Sequence, residues 1–132
     1  MKLFFFYGSL RTGYWNQYVL PKTARKVGNA ETVSPFQLYV GKSRIPTCVP
    51  GGDNPLKGEV YEVENKDTSR IYSLEFGYKD QTIKAQLEDG TLVEAVIFHH
   101  DDPKDCNYLR GGYEFVPSGD YTKVIKPNGD RV

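Results

Sequence analysis

The sequence predicts a small α+β protein, built as a mostly antiparallel, mixed β-barrel with one or two short peripheral helices. Two observations carry this prediction. Many short runs rich in Val, Ile, Phe and Tyr are separated by turns that contain Gly, Pro or Asn. Only two stretches have helical periodicity, and each is long enough for about two turns. Many short strands with few helices are typical of small barrels.

The chain is predicted to open with a buried strand and a tight turn. Leu3–Phe6 is an apolar run that ends at Gly8-Ser9, where small residues let the backbone turn with its N–H groups facing a ligand. An ordinary turn is the alternative. Tyr14–Leu20 has apolar residues at one-sided helical spacing, so a short helix is expected there, ended by Pro21.

The middle of the chain reads as extended segments joined by turns. Pro46 interrupts one strand and therefore places it at a sheet edge or bulge, and Gly58 allows a close approach in another. In chain order the predicted elements are an extended segment Thr23–Val33, a strand Phe36–Val40, a strand Ile45–Val49, a loop Pro50–Pro55 and a strand Leu56–Val63.

Residues 67–75 are predicted to form a helix that carries an acid on its apolar side. Glu75 lies four residues after Ile71 and three after Tyr72, so it shares their stripe, and Gly77 supplies the stop. Buried acids are rare unless they are paired or functional, which makes Glu75 a candidate site residue. The alternative is an exposed glutamate in the last turn.

The C-terminal half predicts a hairpin followed by two further strands. The hairpin joins strands Gln81–Leu87 and Thr91–Phe98 through Asp89-Gly90. A polar connection over 101–112 leads to the expected terminal strands, Tyr113–Val116 and Tyr121–Ile125. No repeat, linker or low-complexity tract divides the chain, so residues 1–132 are expected to form one domain.

Composition excludes several classes of function. Of the 132 residues, 39% are hydrophobic and 26% charged, and no apolar run approaches the ~20 residues of a membrane span. With 17 basic and 17 acidic residues the net charge is zero, which argues against nucleic-acid binding. No targeting segment is recognised, so a cytoplasmic protein without a membrane partner is expected.

The charge is nevertheless uneven along the chain. The first 30 residues hold five basic residues and no acidic one, which leaves a net −5 for the remainder. This distribution favours an anionic small substrate, unless the five side chains are simply solvated. The basic residues are Lys2, Arg11, Lys22, Arg25 and Lys26.

Other chemistries have weaker signals. Cys48 and Cys106 lack the spacing of a zinc site or a disulfide framework. Adjacent His99 and His100 on a strand point to opposite faces and rarely share an ion. Ser9 lacks the surroundings of a hydrolase nucleophile. The expectation is a site without metal or cofactor.

Five stretches, in one order along the chain, resemble the γ-glutamylcyclotransferase-like family, nearest its γ-glutamylamine cyclotransferase branch. The resemblance implies a β-barrel of about six strands with peripheral helices. It also implies an enzyme that releases 5-oxoproline from a small γ-glutamyl substrate. The stretches are Tyr7-Gly8-Ser9-Leu10, Ile45-Pro46-Thr47-Cys48-Val49, Gly58-Glu59-Val60-Tyr61-Glu62-Val63, Leu74-Glu75-Phe76-Gly77-Tyr78 and Ser118-Gly119-Asp120-Tyr121.

The resemblance implies one catalytic residue and a substrate-binding set. Glu75 is expected to act as general acid and base. The substrate-binding residues are expected to be Tyr7, Gly8, Ser9, Leu10, Arg11 and Tyr121. Two departures leave the leaving group open. The Gly-rich stretch and Asn-His pair that often continue the family's loop are represented here only by Asn16, and Phe76 lies inside the acid motif. The rival interpretation is a non-catalytic module that binds a γ-glutamyl ligand or a protein, and the oligomeric state stays open.

Overall fold

The computed structural model describes residues 1–132 as six strands, one α-helix and several single turns of 3₁₀-helix. No helix in it has the length and apolar character needed to cross a membrane. The strands are β1 Lys2–Phe6, β2 Arg25–Gly41, β3 Pro46–Val63, β4 Lys79–Leu87, β5 Leu92–His99 and β6 Tyr113–Val116, and the helix is α1 Thr68–Leu74. The 3₁₀ turns are Gln17–Val19, Asn65–Asp67, Pro103–Asp105, Asn107–Leu109 and Tyr121–Lys123.

Five of the strands close into a barrel. Their order is β3-β1-β5-β4-β2, and a further pairing of β2 with β3 completes the ring. Only β1 and β5 run parallel; the other pairs are antiparallel, and β6 extends the sheet from β2. The closed mixed barrel with one extra strand and one short helix confirms the predicted fold class. Closure also removes most of the exposed strand edges that an open sheet would carry.

The β1 strand is buried on both faces because successive side chains point to opposite sides of the sheet. Phe5 belongs to the core inside the barrel. Phe4 and Phe6 face outward into a second core, which Ile71 of α1 and Phe98 of β5 complete. The strand is therefore held from both sides, and the loop that follows it starts from a rigid element.

The strands β1 and β3 approach closely at Gly58. A Cβ atom placed there would lie 2.4 Å from the Phe6 carbonyl oxygen and 2.8 Å from the Phe5 ring. Every side chain larger than hydrogen is thus excluded. This confirms the close approach that a glycine within the strand predicts.

The predicted loop Pro50–Pro55 is instead part of β3. Pro35 pairs with Pro55, whereas its neighbour Phe36 pairs with Pro50, so residues 51–54 bulge out of the ladder. The proline and glycine residues correctly indicate an interruption in the ladder, but they do not indicate that the strand continues on both sides of it. Prolines are tolerated there because bulged positions need not donate a ladder hydrogen bond.

Two other predicted elements are single 3₁₀ turns in the structure. The expected helix Tyr14–Leu20 is reduced to one 3₁₀ turn, Gln17–Val19. The expected strand Tyr121–Ile125 is wrong, because Tyr121–Lys123 is a 3₁₀ turn. Asp120 caps that turn by accepting a hydrogen bond from the Thr122 N–H, which starts a turn where the apolar alternation predicted a strand.

Candidate active site

A cavity of about 130 Å³ opens where the loop after β1, the end of α1 and the turn before β3 meet. Ten of its 15 lining residues are hydrophobic. The lining brings the predicted acid together with four predicted binding residues, although they lie some 65 positions apart in the sequence. The lining residues are Phe5, Phe6, Tyr7, Gly8, Ser9, Leu10, Asn16, Val19, Ile45, Pro46, Leu74, Glu75, Tyr78, Phe98 and Tyr108.

The loop after β1 lines this cavity and has backbone donors without a partner in the protein. The N–H groups of Gly8, Ser9 and Leu10 donate no hydrogen bond within the protein, although all three residues are buried. The loop's carbonyls are used: Gly8 accepts from the Arg11 N–H at 3.1 Å. Buried backbone N–H groups almost always have a partner, so three consecutive unpaired ones beside a cavity indicate a site for an oxygen-rich ligand.

Gly8 is required by the opposite wall of the cavity. A Cβ atom at Gly8 would lie 2.5 Å from Cγ of Pro46. The backbone of the loop therefore lies directly against the first residue of β3. Glycine at this position brings main-chain donors, rather than a side chain, to the ligand.

Two hydrogen-bonded anchors fix the loop. The hydroxyl of Tyr7 donates to the Phe98 carbonyl at 2.6 Å, across to β5. On the other side, Glu59 of β3 accepts from the Thr12 N–H at 2.9 Å and from its hydroxyl at 2.7 Å. Its second oxygen accepts from Nε of Arg11 at 3.0 Å. These bonds lower the pKa of the Glu59 carboxyl against the opposing effect of its burial.

Glu75 lies at the C-terminal end of α1, in the cavity wall. Its N–H donates to the Ile71 carbonyl at 3.1 Å, so the residue closes the helix. Burial raises the pKa of its carboxyl from 4.5 to about 7, and no hydrogen bond or charged neighbour opposes that rise. This direction agrees with the rise that the sequence predicts for Glu75. The carboxyl is unpaired and can exchange a proton near neutral pH.

A histidine fixes the chain just beyond Glu75. The Gly77 carbonyl lies 3.1 Å from Nε2 of His100, and Nδ1 of the same ring lies 2.6 Å from the hydroxyl oxygen of Thr47. Because a carbonyl only accepts, Nε2 carries the proton, and in the neutral ring Nδ1 accepts from the hydroxyl. The next residue, Tyr78, donates its hydroxyl hydrogen to the Pro46 carbonyl at 2.7 Å. The segment after the acid is thus tied to β3 and to the end of β5.

Arg11 and Tyr121 are not brought to this cavity. The Arg11 guanidinium is held between Glu59 at 3.0 Å and Asp120 at 3.3 Å, and its side chain is 11% exposed. Tyr121 is fully buried and donates its hydroxyl hydrogen to the Arg44 carbonyl. The geometry therefore gives no support to a direct contact of either residue with substrate. Nor are all five basic residues of the N-terminal segment free, since Lys26 also pairs with Glu59 at 3.7 Å.

Sequence reasoning missed the residues that act on the site from outside it. Glu59 sits within a predicted strand that also holds Lys57 and Glu62, so its charge alone does not distinguish it. The sequence offers His100 only as a candidate metal ligand, whereas its ring hydrogen-bonds to Thr47 and Gly77. No three His, Cys, Asp or Glu side chains come together as a metal site would require. Tyr108 also lines the cavity, and no motif in the neighbouring sequence predicts this.

Comparison with known proteins assigns the chain to a family. The family model for "Gamma-glutamyl cyclotransferase, AIG2-like" matches residues 4–123. A relative from Methanocaldococcus jannaschii, named "Putative gamma-glutamylcyclotransferase MJ1514", is 34% identical over 125 residues, which cover 92% of this chain and 96% of the relative.

Solved structures agree with the fold. The crystal structure of the uncharacterized protein PH0828 from Pyrococcus horikoshii matches with a TM-score of 0.66 and 26% identity, covering 92% of this chain and 90% of the other. A structure described as gamma-glutamyl cyclotransferase matches with a TM-score of 0.64, covering 86% of this chain and 69% of the other. At 16% identity that likeness shows the fold alone. From the family match over residues 4–123, the chain belongs to the AIG2-like gamma-glutamyl cyclotransferase family.

Proposed function

We propose that this gamma-glutamylcyclotransferase-like enzyme converts a γ-glutamyl amide into 5-oxoproline and a free amine, with Glu75 as the proton-transferring residue. In this reaction the α-amine of the substrate attacks its own γ-carbonyl carbon. The new C–N bond closes a five-membered lactam, and the original amide C–N bond breaks. The observation that carries the proposal is an unpaired carboxyl, with its pKa raised to about 7, in one cavity with unpaired backbone donors.

The attack needs few protein groups because the nucleophile and the carbonyl belong to one molecule. Intramolecular reactions gain a large effective concentration when the geometry is right. What the protein must supply is a base, since an ammonium group carries no lone pair at neutral pH. A carboxylate of ordinary pKa would take up little of that proton, whereas one at about 7 exchanges it readily.

The proton then moves with the reaction. Glu75 takes it from the attacking ammonium and delivers it to the amide nitrogen as the C–N bond breaks. The ring nitrogen still carries a second excess proton, which Glu75 takes as the lactam forms and passes to the departing amine. The amine therefore leaves as an ammonium, and the carboxylate is regenerated for the next cycle. No group other than Glu75 is needed for the transfer.

The backbone of the loop supplies the complementary donors. The N–H groups of Gly8, Ser9 and Leu10 can hold the substrate's α-carboxylate and the oxygen that becomes negative during attack. No cationic side chain lines the cavity, so these dipoles carry the recognition of negative charge. They are preorganised because Tyr7 and Glu59 already fix the loop.

The test compares Glu75→Gln with the wild-type protein, using Glu94→Gln as the matched control because Glu94 is exposed and outside the cavity. We expect Glu75→Gln to bind γ-glutamyl amides but to lose at least ~100-fold in kcat, as for removal of a general base. Release of 5-oxoproline is measured by chromatography. Wild-type kcat in Glu75→Gln would overturn the role of Glu75, and binding without turnover in the wild type would instead support a non-catalytic module.

A further inference from the structure

We infer that Tyr121 is a positioning residue for the active site, although its side chain does not line the cavity. Its hydroxyl group binds the Arg44 carbonyl and so holds the turn that sets the cavity wall opposite Gly8. The inference rests on the proposed function, because the wall belongs to the site that would bind the γ-glutamyl substrate.

The turn between β2 and β3 contains strained backbone. Arg44 has a φ of 71° and is the only residue other than glycine with a positive φ. A side chain makes this left-handed conformation costly, so it persists only where the surroundings fix it. The Arg44 N–H donates to the Gly41 carbonyl at 3.0 Å, which closes the turn. Because Arg44 itself is exposed, contacts of its backbone hold the conformation.

Tyr121 supplies the buried anchor of this turn. Its ring is fully buried in the core inside the barrel, and its hydroxyl group donates to the Arg44 carbonyl. Burial raises the pKa of Tyr121 to about 12, so the hydroxyl group keeps its hydrogen at neutral pH and remains a donor. A ring held by the core therefore fixes the peptide group between Arg44 and Ile45.

The residues that follow this peptide group form the cavity wall. Ile45 and Pro46 both line the cavity. The ring of Pro46 lies so close to the loop after β1 that a Cβ atom at Gly8 would be 2.5 Å from its Cγ. The Pro46 carbonyl accepts from the Tyr78 hydroxyl group at 2.7 Å. Tyr121 thus anchors the start of the wall, and Tyr78 anchors its end.

The same turn also contacts a second part of the cavity lining. The hydroxyl group of Ser43 donates to the Tyr108 carbonyl at 2.9 Å, and Tyr108 lines the cavity. A Cβ atom at Gly41 would lie 2.7 Å from that carbonyl oxygen, so the two segments are in direct contact. Releasing the turn would therefore displace Ile45 and Tyr108 together.

The first test removes the Tyr121 hydroxyl group alone. For the γ-glutamyl amide that the wild type converts fastest, we expect Tyr121→Phe to lower kcat/KM about 5-fold, mainly through KM, because the wall contacts the substrate before and during the reaction. Tyr14→Phe is the matched control. Tyr14 packs on Tyr121 with ring centroids 5.7 Å apart, but it donates to the Ile125 carbonyl at 2.9 Å and does not line the cavity. This control should stay within ~2-fold of wild type.

The strain at Arg44 provides a second readout, which a purely structural role of Tyr121 would not change. Glycine adopts a positive φ without the cost of a Cβ atom, whereas alanine keeps that atom and removes the same charge. In the Tyr121→Phe background, Arg44→Gly should therefore restore about half or more of the lost kcat/KM, and Arg44→Ala should restore none of it.

The amide resonance of Gly8, followed by nitrogen-15 NMR, reports on the wall without turnover. We expect it to shift in Tyr121→Phe, to stay in place in Tyr14→Phe, and to return when Arg44→Gly is added. Equal kcat/KM in the two single variants, or equal rescue by glycine and alanine, would overturn the inference while the cyclotransferase activity stands. If the wild type releases no 5-oxoproline from any γ-glutamyl amide, the proposed function fails, and the Gly8 resonance still decides whether Tyr121 sets the wall.

Discussion

Two glutamates, Glu59 and Glu75, flank the loop after β1, and their surroundings differ in every respect that matters for a carboxylate. Glu59 is 4% exposed and accepts hydrogen bonds from Arg11 and Thr12, with Lys26 nearby, and its pKa is lowered. Glu75 is partly buried against apolar side chains without a partner, and its pKa is raised to about 7.

The difference separates a structural acid from a reactive one. The carboxylate of Glu59 forms an ion pair with Arg11 and accepts a hydrogen bond from Thr12. These contacts fix the loop from outside the cavity. The carboxyl of Glu75 forms no ion pair or hydrogen bond within the protein. An acid that is unpaired and beside a cavity is the expected state of a group that exchanges protons with a ligand.

The largest expected effect on stability comes from removing the charge of Glu59. Glu59→Gln leaves the buried Arg11 guanidinium with Asp120 alone, so we expect the free energy of unfolding to fall by about 3 kcal/mol. Urea unfolding measures it. Glu31→Gln is the control, because Glu31 forms an exposed pair with Lys57 at 3.6 Å and should change stability by less than ~0.5 kcal/mol. Equal small losses in both variants would show that Glu59 does not anchor the loop.

The opposite result is expected for Glu75. Its folded pKa, about 7, lies above its unfolded value of 4.5, so the folded protein binds more protons between these pH values. The stabilising contribution of the group is therefore fully present below pH 4.5 and is lost as pH rises to about 7. Glu75→Gln removes this loss, so the variant should be about 2 kcal/mol more stable than wild type near pH 7 and similar near pH 4.

Unfolding of both proteins across this pH range provides the check. The value of about 2 kcal/mol is below the full shift because Glu75 retains some exposure to water. A variant that is less stable than wild type at every pH would mean that Glu75 is a paired structural carboxylate like Glu59.

The smallest effect expected is at His100, a positioning residue for the segment beyond Glu75. His100→Gln keeps a donor where Nε2 reaches the Gly77 carbonyl, whereas His100→Asn is too short to reach it. We expect His100→Asn to lower kcat about 10-fold, roughly 1.4 kcal/mol, with KM changed less than ~2-fold. His100→Gln should restore most of that loss. Equal kcat in the two variants, whatever their stability, would exclude this role.

The sequence was sufficient to predict most of the fold and the centre of the site. The alternation of apolar and polar residues predicts β4 and β5, and Asp89-Gly90 predicts the hairpin that joins them. Both patterns lie within a few neighbouring residues and need no knowledge of long-range pairing. The helical spacing of Ile71 and Glu75 predicts that the acid lies on the apolar side of α1. Burial of that acid and of Gly8 in one cavity was expected only through the family resemblance.

What the sequence could not show depends on long-range pairing. The bulge at residues 51–54 has the composition of a loop, and only its partner β2 reveals that the strand continues. Arg11 lies next to the binding loop in sequence, yet its guanidinium hydrogen-bonds to Glu59 and Asp120 instead of lining the cavity. These partners are 48 and 109 positions away in the sequence. The family resemblance also predicts Tyr121 in the site, but its ring lies in the core inside the barrel.

The most direct test of the contrast between the two acids is a carboxyl titration of the wild-type protein by carbon-13 NMR, with Glu59→Gln and Glu75→Gln used to assign the two resonances. Both pKa values are then read in one sample. The account predicts that Glu75 titrates near 7 and Glu59 below 4.5. A Glu75 value at or below 4.5 would contradict it, because the carboxyl would then be no better suited to accept the substrate's proton than any exposed glutamate.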